Sequence, residues 1–169
     1  MNASPETKPD GHLPPVSLRP ERAGDEHFLY EVYASTRAEE LALTNWDAQT
    51  RRLFLDHQFQ AMRQGYRSMF PSGIFSVIEL AGQPVGRIVT NRSAQELRVV
   101  DLALLPPHQN QGIGTQLMRQ VCAEAAAARL PVRLSVLKNN RALSWYARLG
   151  FFKIAEESIY EELEWRPAS

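Results

Sequence analysis

The segment that most constrains this chain is residues 97–118, where an apolar stretch, a polar loop with two glycines and a helical pattern follow one another. Apolar residues dominate positions 97–105, which is typical of a buried strand. Gly112 and Gly114 allow the backbone to turn and to approach a ligand closely. The helix start that follows would present unpaired N–H groups. This order predicts an anion-binding loop and a phosphate-bearing ligand.

The spacing of the loop excludes two common phosphate-binding motifs. A dinucleotide fingerprint requires a third small residue three positions after the second glycine, where this chain has Leu117. A nucleoside-triphosphate loop requires Gly-Lys followed by Ser or Thr, whereas Gly114 is followed directly by Thr115. The pattern that remains is Gln109-x-x-Gly112-x-Gly114, which also fits a strand-to-helix turn that binds no ligand.

A second motif lies downstream, in residues 136–151, where Asn139-x-x-Ala142 is followed by Tyr146-x-x-x-Gly150-Phe151. Together the two motifs resemble the GNAT superfamily of acyl-CoA-dependent N-acetyltransferases. The cofactor loop of that superfamily reads Arg or Gln, two residues, Gly, one residue, then Gly or Ala, and its later helix ends in Tyr-x-x-x-Gly-Phe. The resemblance extends over about residues 16–165, with the motifs in 97–151, and residues 33–46 resemble a bacterial subgroup of unknown substrate.

Composition and charge agree with one domain that does not bind nucleic acid. A chain of 169 residues can bury roughly two thirds of its unfolded surface in a single core. Basic and acidic residues number 19 each, so no cationic excess favours a nucleic acid or a membrane surface. Cys122 is the single cysteine and lies in an apolar helical stripe, and His57 and His108 lack metal-ligand spacing, so no metal site is expected. We expect a cytoplasmic protein because the N-terminus has no apolar signal core.

The hydrophobic periodicity predicts an α/β protein of the mixed α+β kind, with a central mixed sheet of about seven strands flanked by about four helices. A disordered tail at residues 1–15 and a single acyl-CoA N-acyltransferase domain at 16–166 are expected. Asp47 is predicted to cap the second helix and Gly150 to end the last one. The predicted strands are 16–19, 74–80, 85–90, 97–105, 132–137, 151–155 and 159–165, and the predicted helices are 23–37, 47–67, 113–125 and 140–149.

The resemblance implies where acetyl-CoA would bind. In the GNAT superfamily the strands that correspond to 97–105 and 132–137 are parallel neighbours that splay apart, and the pantetheine arm lies between them like an added strand. By this correspondence the backbone of Leu104 would hold the pantetheine, and the Leu102 N–H would meet the acyl carbonyl oxygen. Gln109 belongs to the same loop. The pyrophosphate would be held by the N–H groups of Gln111, Gly112, Ile113, Gly114 and Thr115.

Two glutamines, Gln109 and Gln111, stand where the superfamily most often has at least one arginine. The loop therefore lacks a formal positive charge, and cofactor binding would depend on backbone N–H groups and the helix dipole. Asn139, which begins the Asn-x-x-Ala motif, is a further candidate for cofactor binding. Lys138 and Arg141 are candidates for contact with the 3′-phosphate.

The resemblance also suggests the catalytic residues. Tyr146 occupies the position that stabilises the departing CoA thiolate, although a buried aromatic residue would give the same pattern. The attacking amine must lose a proton, but Arg98 stands where some superfamily members have a glutamate. Asp101 is the nearest acid, and simple alternation places it on the sheet face opposite Arg98, although a bulge could change that. Its alternative role is to anchor a backbone N–H or to pair with Arg87. Glu40 and Tyr160 are further candidates for the acceptor site.

The resulting hypothesis is acetyl transfer from acetyl-CoA to a primary amine of a small molecule or peptide, by direct attack in a ternary complex. Two alternatives stay open: a GNAT-like domain that binds acyl-CoA as a sensor without turnover, and an α/β domain that binds another phosphate ligand. An exposed C-terminal hairpin edge would allow a homodimer. An anionic acceptor would suit Arg51, Arg52, Arg63 and Arg67, and a cationic one would suit Glu39 and Glu40.

Overall fold

The computed structural model of the protein describes residues 14–168 and shows one seven-stranded sheet flanked by four α-helices. The strands are β1 (Val16–Pro20), β2 (Ile74–Leu80), β3 (Gln83–Arg92), β4 (Leu97–Leu104), β5 (Val132–Leu137), β6 (Phe152–Glu157) and β7 (Tyr160–Trp165). The helices are α1 (Glu26–Ala42), α2 (Ala48–Met69), α3 (Ile113–Ala127) and α4 (Ala142–Arg148). The predicted fold class is confirmed.

The sheet has the order β1-β2-β3-β4-β5-β7-β6, and its neighbouring strands are antiparallel with one exception. Strands β4 and β5 are parallel, as expected for two strands joined by a helical crossover. The sheet therefore changes from antiparallel to parallel pairing at its centre, directly before the glycine loop. Strand β6 forms a free edge, and all six of its residues are exposed.

The helices cover the two faces of the sheet unequally. The larger core lies under α3 and α4 and includes the apolar stripe of α3 that the sequence predicts: Ile113, Leu117, Met118, Val121, Cys122 and Ala125. The smaller core joins α1 and α2 to β2 through Leu29, Tyr33, Phe59 and Val77. Each helix pair thus buries one face, and the end of β4 lies between the two cores.

Local signals account for most of the helix boundaries. The Asp47 side chain accepts a hydrogen bond from the Thr50 N–H at 2.7 Å, so the predicted cap of α2 is confirmed. Gly150 has φ +90° after the end of α4, as predicted for a helix stop. No helix within the described part of the chain is long and apolar enough to cross a membrane.

The first predicted helix, residues 23–37, is wrong at both ends. Residues Ala23–Asp25 form a 3-10 turn, because the Asp25 carboxylate is held by Arg19 at 2.7 Å and by the Arg22 N–H at 2.8 Å. The helix then continues to Ala42, since the Leu41 side chain adds a buried contact beyond Arg37. The last predicted helix, 140–149, is shorter in the structure, at Ala142–Arg148. Of the predicted tail, residues 1–13 lie outside the described residues.

Candidate active site

Strands β4 and β5 separate shortly after they meet, which opens a fork in the middle of the sheet. Their pairing covers three positions and ends at Val99 and Leu134. Beyond these residues β4 continues on β3 to Leu104, and β5 continues on β7 to Leu137. The side of β4 that faces β5 therefore has no strand partner after Val99. The splay that the resemblance implies is present.

A β-bulge at Val100 decides which backbone groups of β4 face this fork. Val99 pairs with Thr90 and Asp101 pairs with Val89, so Val100 is an extra residue without a partner on β3. The bulge shifts the alternation of side chains by one position. Val99 and Leu102 both belong to the α3 side, whereas Asp101 contacts Arg87, which packs against α2. The expectation that Asp101 lies opposite Arg98 is therefore wrong.

The N–H and C=O groups of Leu102 and Leu104 point into the fork. The Leu105 N–H donates to the Val85 carbonyl at 2.9 Å, and hydrogen-bonded pairs alternate along an antiparallel ladder. The backbone groups of Asp101 and Ala103 consequently form hydrogen bonds with β3. Those of Leu102 and Leu104 therefore point toward β5. These groups are the open edge to which an extended amide chain can add.

The loop after β4 is held by its own glutamines. The Gln109 side-chain amide donates to the Leu104 carbonyl at 2.8 Å, and that of Gln111 donates to the Pro107 carbonyl at 2.6 Å. Both side chains shape the loop, and neither brings a charge. Gly112 follows with φ +86°, a left-handed conformation that glycine adopts without strain, and it caps α3.

The N-terminus of α3 opens on the same side as the fork. The first hydrogen bond to its cap runs from the Gln116 N–H to the Gly112 carbonyl, so the N–H groups before Gln116 have no helical partner. Helix α4 packs directly on this end: a Cβ at Gly114 would lie 3.3 Å from the Trp145 ring, and Trp145 Nε1 donates to Thr115 Oγ1 at 3.0 Å. Gly114 therefore allows close approach of α4.

Tyr146 lies in the larger core beside the fork, with 8% of its surface exposed. Its ring packs between Trp145 and Phe151. Burial, and secondly the charge of Asp101, raises the pKa of Tyr146 to about 12. Tyr146 stays protonated at neutral pH and can donate a hydrogen bond.

Asp101 forms an ion pair with Arg87, which was the alternative role that the sequence allowed. Asp101 Oδ2 lies 2.6 Å from Arg87 Nε, and both atoms are fully enclosed. Their geometry does not meet the angular requirement of a hydrogen bond, so charge attraction dominates the contact. Arg87 is 6% exposed and its Nη2 donates to the Met62 sulfur at 3.1 Å.

The comparisons with known proteins agree with this geometry. A family model described as "Acetyltransferase (GNAT) domain" matches residues 71–153, which contain the fork, the glycine loop and α4. Residues 71–153 are therefore those of a GNAT acetyltransferase domain. The resemblance to the GNAT superfamily that the sequence shows is thus confirmed.

Solved structures similar to this chain share its fold at low sequence identity. The PaiA N-acetyltransferase of Thermoplasma acidophilum, in complex with coenzyme A, is 18% identical with a TM-score of 0.67, over 90% of this chain and 99% of that one. An acetyltransferase from Thermus thermophilus is 17% identical, with a TM-score of 0.67 over 92% and 99%. A GNAT acetyltransferase from Elizabethkingia anophelis with acetyl-CoA bound is 17% identical, with a TM-score of 0.57 over 90% and 98%.

Lys138 and Arg141, the two cations predicted near the cofactor, differ in whether a carboxylate pairs with them. Lys138 Nζ lies 2.5 Å from the Glu156 carboxylate on β6, so its charge is compensated within the GNAT domain. Arg141 and Asn139 are exposed in the turn before α4. The Asn140 side chain, not Asn139, accepts a hydrogen bond from the Ala142 N–H at 2.8 Å and starts this helix.

Most of the arginines that were considered for an anionic acceptor form ion pairs with carboxylates of the protein. Arg63 and Arg67 lie 2.5 and 3.1 Å from Glu21, and Arg52 lies 3.9 Å from Asp56. Arg51 donates to the Thr44 carbonyl at 3.0 Å. Glu40 pairs with Arg37 at 3.2 Å on the last turns of α1. These side chains hold α1 and α2 in place.

Arg98 belongs to an ion-pair network at the closed end of the fork. Its Nε lies 2.7 Å from Glu96, and its guanidinium donates to Glu162 on β7 at 3.3 Å. Arg133 of β5 continues the network to Glu96 at 3.1 Å and to Glu164 at 2.6 Å. Burial alone would raise the pKa of Glu164, but hydrogen bonds from Arg133 and Arg166 lower it. The network joins β4, β5 and β7 where the two parallel strands meet.

Two residues of the site were missed by the sequence analysis. Gly86 of β3 faces Leu104, and a Cβ there would lie 2.3 Å from the Ala103 carbonyl oxygen. A glycine inside a strand pattern signals such a close approach. Tyr66 of α2 is the second: burial and then the Asp101 charge raise its pKa to about 12. No local signal in the sequence distinguishes Tyr66 from a core residue of α2.

A cleft of about 1080 Å³ lies between α1 and α2, away from the fork, with Tyr30, Trp46 and Phe59 among its lining residues. None of the residues predicted to be catalytic or to bind the cofactor lines it, although Arg51 and Arg52, which were considered for an anionic acceptor, do. Within residues 14–168, no group of three or more His, Cys, Asp or Glu side chains is placed to hold a metal ion. The backbone groups of the fork and the start of α3 are therefore the site of interest.

Replacing Gly112 by alanine separates backbone strain from cofactor binding. Alanine at φ +86° costs about 1 kcal/mol of folding free energy, and Gly82→Ala at φ +78° in the β2–β3 turn costs a similar amount. Only Gly112 begins the helix end that is predicted to bind the pyrophosphate. We therefore expect both variants to lose stability in urea titrations, and only Gly112→Ala to weaken acetyl-CoA binding by calorimetry. Equal affinities of the two variants would contradict the site.

Buried Tyr146 and half-buried Tyr66 are expected to ionise only at high pH. Because Tyr66 and Tyr146 have pKa values raised from 10.0 to about 12, their contribution to stability is complete below about pH 10 and is lost as pH rises toward 12. We expect phenolate absorbance to rise late in the folded protein and the free energy of unfolding to fall between pH 10 and 12. Tyr146→Phe should remove part of both effects, and an unchanged titration would contradict the burial of this phenol.

Proposed function

We propose that this protein transfers an acetyl group from acetyl-CoA to a primary amine by direct attack in a ternary complex. The observation that carries the proposal is the fork between β4 and β5, where the backbone of Leu102 and Leu104 has no strand partner on the β5 side and the start of α3 lies beside it. The relatives from Thermoplasma acidophilum and Elizabethkingia anophelis, which bind coenzyme A and acetyl-CoA, support this choice of cofactor.

The cofactor would bind mainly to backbone. Its pyrophosphate meets the N–H groups from Gln111 to Thr115, aided by the positive end of the α3 dipole. Its pantetheine arm adds to β4 at Leu104, whose carbonyl must exchange the Gln109 amide for an amide of the arm. Asn139 and Arg141, exposed before α4, are proposed to contact the 3′-phosphate.

The acetyl carbonyl would lie at the bulge, where the Leu102 N–H stabilises the oxyanion of the tetrahedral intermediate. The ammonium group of the acceptor first gives one proton to Asp101, and the free amine attacks the carbonyl carbon. The C–S bond then breaks, the nitrogen loses its second proton, and the CoA thiolate takes up one proton. One proton is released overall. Tyr146 donates a hydrogen bond to the developing thiolate.

Tyr146 acts better as a hydrogen-bond donor than as an acid. With a pKa of about 12 against about 8.5 for a thiol, complete proton transfer to the thiolate would be uphill by about 5 kcal/mol. A hydrogen bond to the thiolate avoids this cost and still stabilises the leaving group. The proton that ends on sulfur therefore comes from the nitrogen or from water.

A second function is an acyl-CoA-binding module without turnover, and the Arg87–Asp101 pair favours it. The Asp101 carboxylate lies 2.6 Å from the buried Arg87 guanidinium, so it has a structural partner even where no amine is turned over. Both functions require that acyl-CoA bind at the fork. They differ in whether the thioester is consumed.

Thiol release from acetyl-CoA in the presence of a panel of primary amines tests the proposal. Small-molecule amines and short peptides are supplied separately, and acetylated products are identified by mass. We expect amine-dependent release of CoA above the rate of hydrolysis. Tight binding of acetyl-CoA without turnover of any amine would favour the binding module, and absence of binding would contradict both functions.

A further inference from the structure

The Arg87–Asp101 pair has one accessible atom on each side that lacks a protein partner. Arg87 Nε and Asp101 Oδ2 face each other and are enclosed. Arg87 Nη1 and Asp101 Oδ1 make no hydrogen bond within residues 14–168 and are not among the enclosed atoms. The pair therefore offers one free donor and one free acceptor, and Asp101 directly follows the bulge where the acetyl group would lie.

Side chains of α1 and α2 contact the Arg87 guanidinium. The ring of Tyr33 lies 5.9 Å from the Arg87 guanidinium on the α1 side, and Met62 contacts the guanidinium from α2. Tyr66 is close enough for its pKa to respond to both charges. Asp101 lies on β4 one residue before Leu102, whose backbone N–H faces the fork.

The charge balance of this place restricts the acceptor that it can bind. The pair is neutral as a unit, and the nearby arginines of α1 and α2 are paired with Glu21 and Glu40. A simple ammonium ion bound here would leave one uncompensated positive charge in a largely buried site, which is costly. A zwitterion adds no net charge, and its ammonium and carboxylate groups match Oδ1 and Nη1.

We propose that Arg87 and Asp101 bind the head group of an amino-acid-like acceptor, with the carboxylate on Arg87 and the reacting amine on Asp101. This inference rests on the proposed function and narrows its substrate class. The amine held on Asp101 Oδ1 lies beside Leu102, the residue whose N–H would stabilise the oxyanion. Arg87 thereby determines specificity, and Asp101 contacts the reacting nitrogen.

Matched acceptors test the proposal. The twenty common amino acids, their carboxamides and the corresponding decarboxylated amines are assayed for CoA release at equal concentration. We expect an amino acid to be the best acceptor and its carboxamide and decarboxylated amine to be slower by at least about tenfold in kcat/KM. Equal rates for the three forms, or a preferred decarboxylated amine, would overturn this inference while the transferase function stands. Acetyl-CoA binding without turnover of any acceptor would overturn both.

Substitutions of Arg87 and Asp101 test whether this pair causes the preference for an amino acid. Arg87→Met should remove the difference between an amino acid and its carboxamide, through a rise in KM for the amino acid, and Arg87→Lys should restore part of it. Because Arg87→Met leaves Asp101 without its counter-charge and can fail to fold, the neutral double variant Arg87→Met with Asp101→Asn is measured in parallel. Arg92→Met, at an exposed pair 4.0 Å from Glu124, is the control. Acetyl-CoA affinity should be unchanged in all of them. In the double variant, whose turnover lacks the Asp101 base, the preference is read from calorimetric binding of the amino acid and of its carboxamide, and a retained preference would overturn the proposal.

Discussion

Gly86→Ala is expected to destabilise the protein by about 2–3 kcal/mol and to weaken acetyl-CoA binding at least about tenfold. An added Cβ would lie 2.3 Å from the Ala103 carbonyl oxygen and 2.8 Å from Leu104 Cδ2. Neither β3 nor β4 can yield without disturbing the ladder that aims Leu102 and Leu104 into the fork. Urea unfolding and calorimetric titration with acetyl-CoA measure the two effects.

The matched control for this change is Gly65→Ala. Gly65 lies inside α2, and a Cβ there would meet no atom within 4 Å. Alanine should stabilise this helix by about 0.5–1 kcal/mol and leave acetyl-CoA affinity unchanged. If Gly86→Ala also proved neutral for both properties, β4 would not need its close approach to β3, and the geometry of the fork would be incorrect.

Tyr146→Phe is expected to lower kcat at least tenfold, or about 1.4 kcal/mol in the activation free energy, with little change in KM for acetyl-CoA. The phenol is buried and protonated beside the fork, so its removal costs a hydrogen bond that is made to the developing thiolate. The ring itself keeps its contacts with Trp145 and Phe151. Steady-state kinetics with a saturating acceptor measure the effect.

A comparable change away from the fork controls for the loss of a hydroxyl group. Tyr30 packs edge-on against Phe59 between α1 and α2, so Tyr30→Phe removes a phenol without touching the fork. Its kcat should stay within about twofold of the unmodified protein. An unaffected kcat in Tyr146→Phe would remove this side chain from the mechanism, and a fall in both variants would indicate a general effect on folding.

The features that the sequence predicts well are those with strong local signals. The apolar stripe of α3, the Asp47 cap and the Gly150 stop each depend on a few neighbouring residues, and the structure has all three. The fork at Val99 was implied by a resemblance in the glycine loop and the Tyr146 motif, and the end of β4–β5 pairing confirms it. Cofactor and catalytic roles of individual residues stay predictions.

The features that were missed depend on register and on distant pairs. Simple alternation puts Asp101 on the wrong face, because one unpaired residue, Val100, shifts every side chain after it. Tyr66 and Tyr146 approach Asp101 from helices on different parts of the chain, which no short pattern encodes. Lys138 was a candidate for a phosphate contact, but its ammonium group pairs with Glu156 of β6.

Site-resolved hydrogen exchange of the β4 amides, with and without saturating acetyl-CoA, tests the central claim most directly. In the free protein the Leu102 and Leu104 amides should exchange fast, while the Ala103 amide, bonded to β3, should exchange slowly. Acetyl-CoA should protect the two leucine amides and leave Ala103 nearly unchanged. Slow exchange of both leucines in the free protein, or no protection by acetyl-CoA, would contradict an open backbone edge that binds the cofactor.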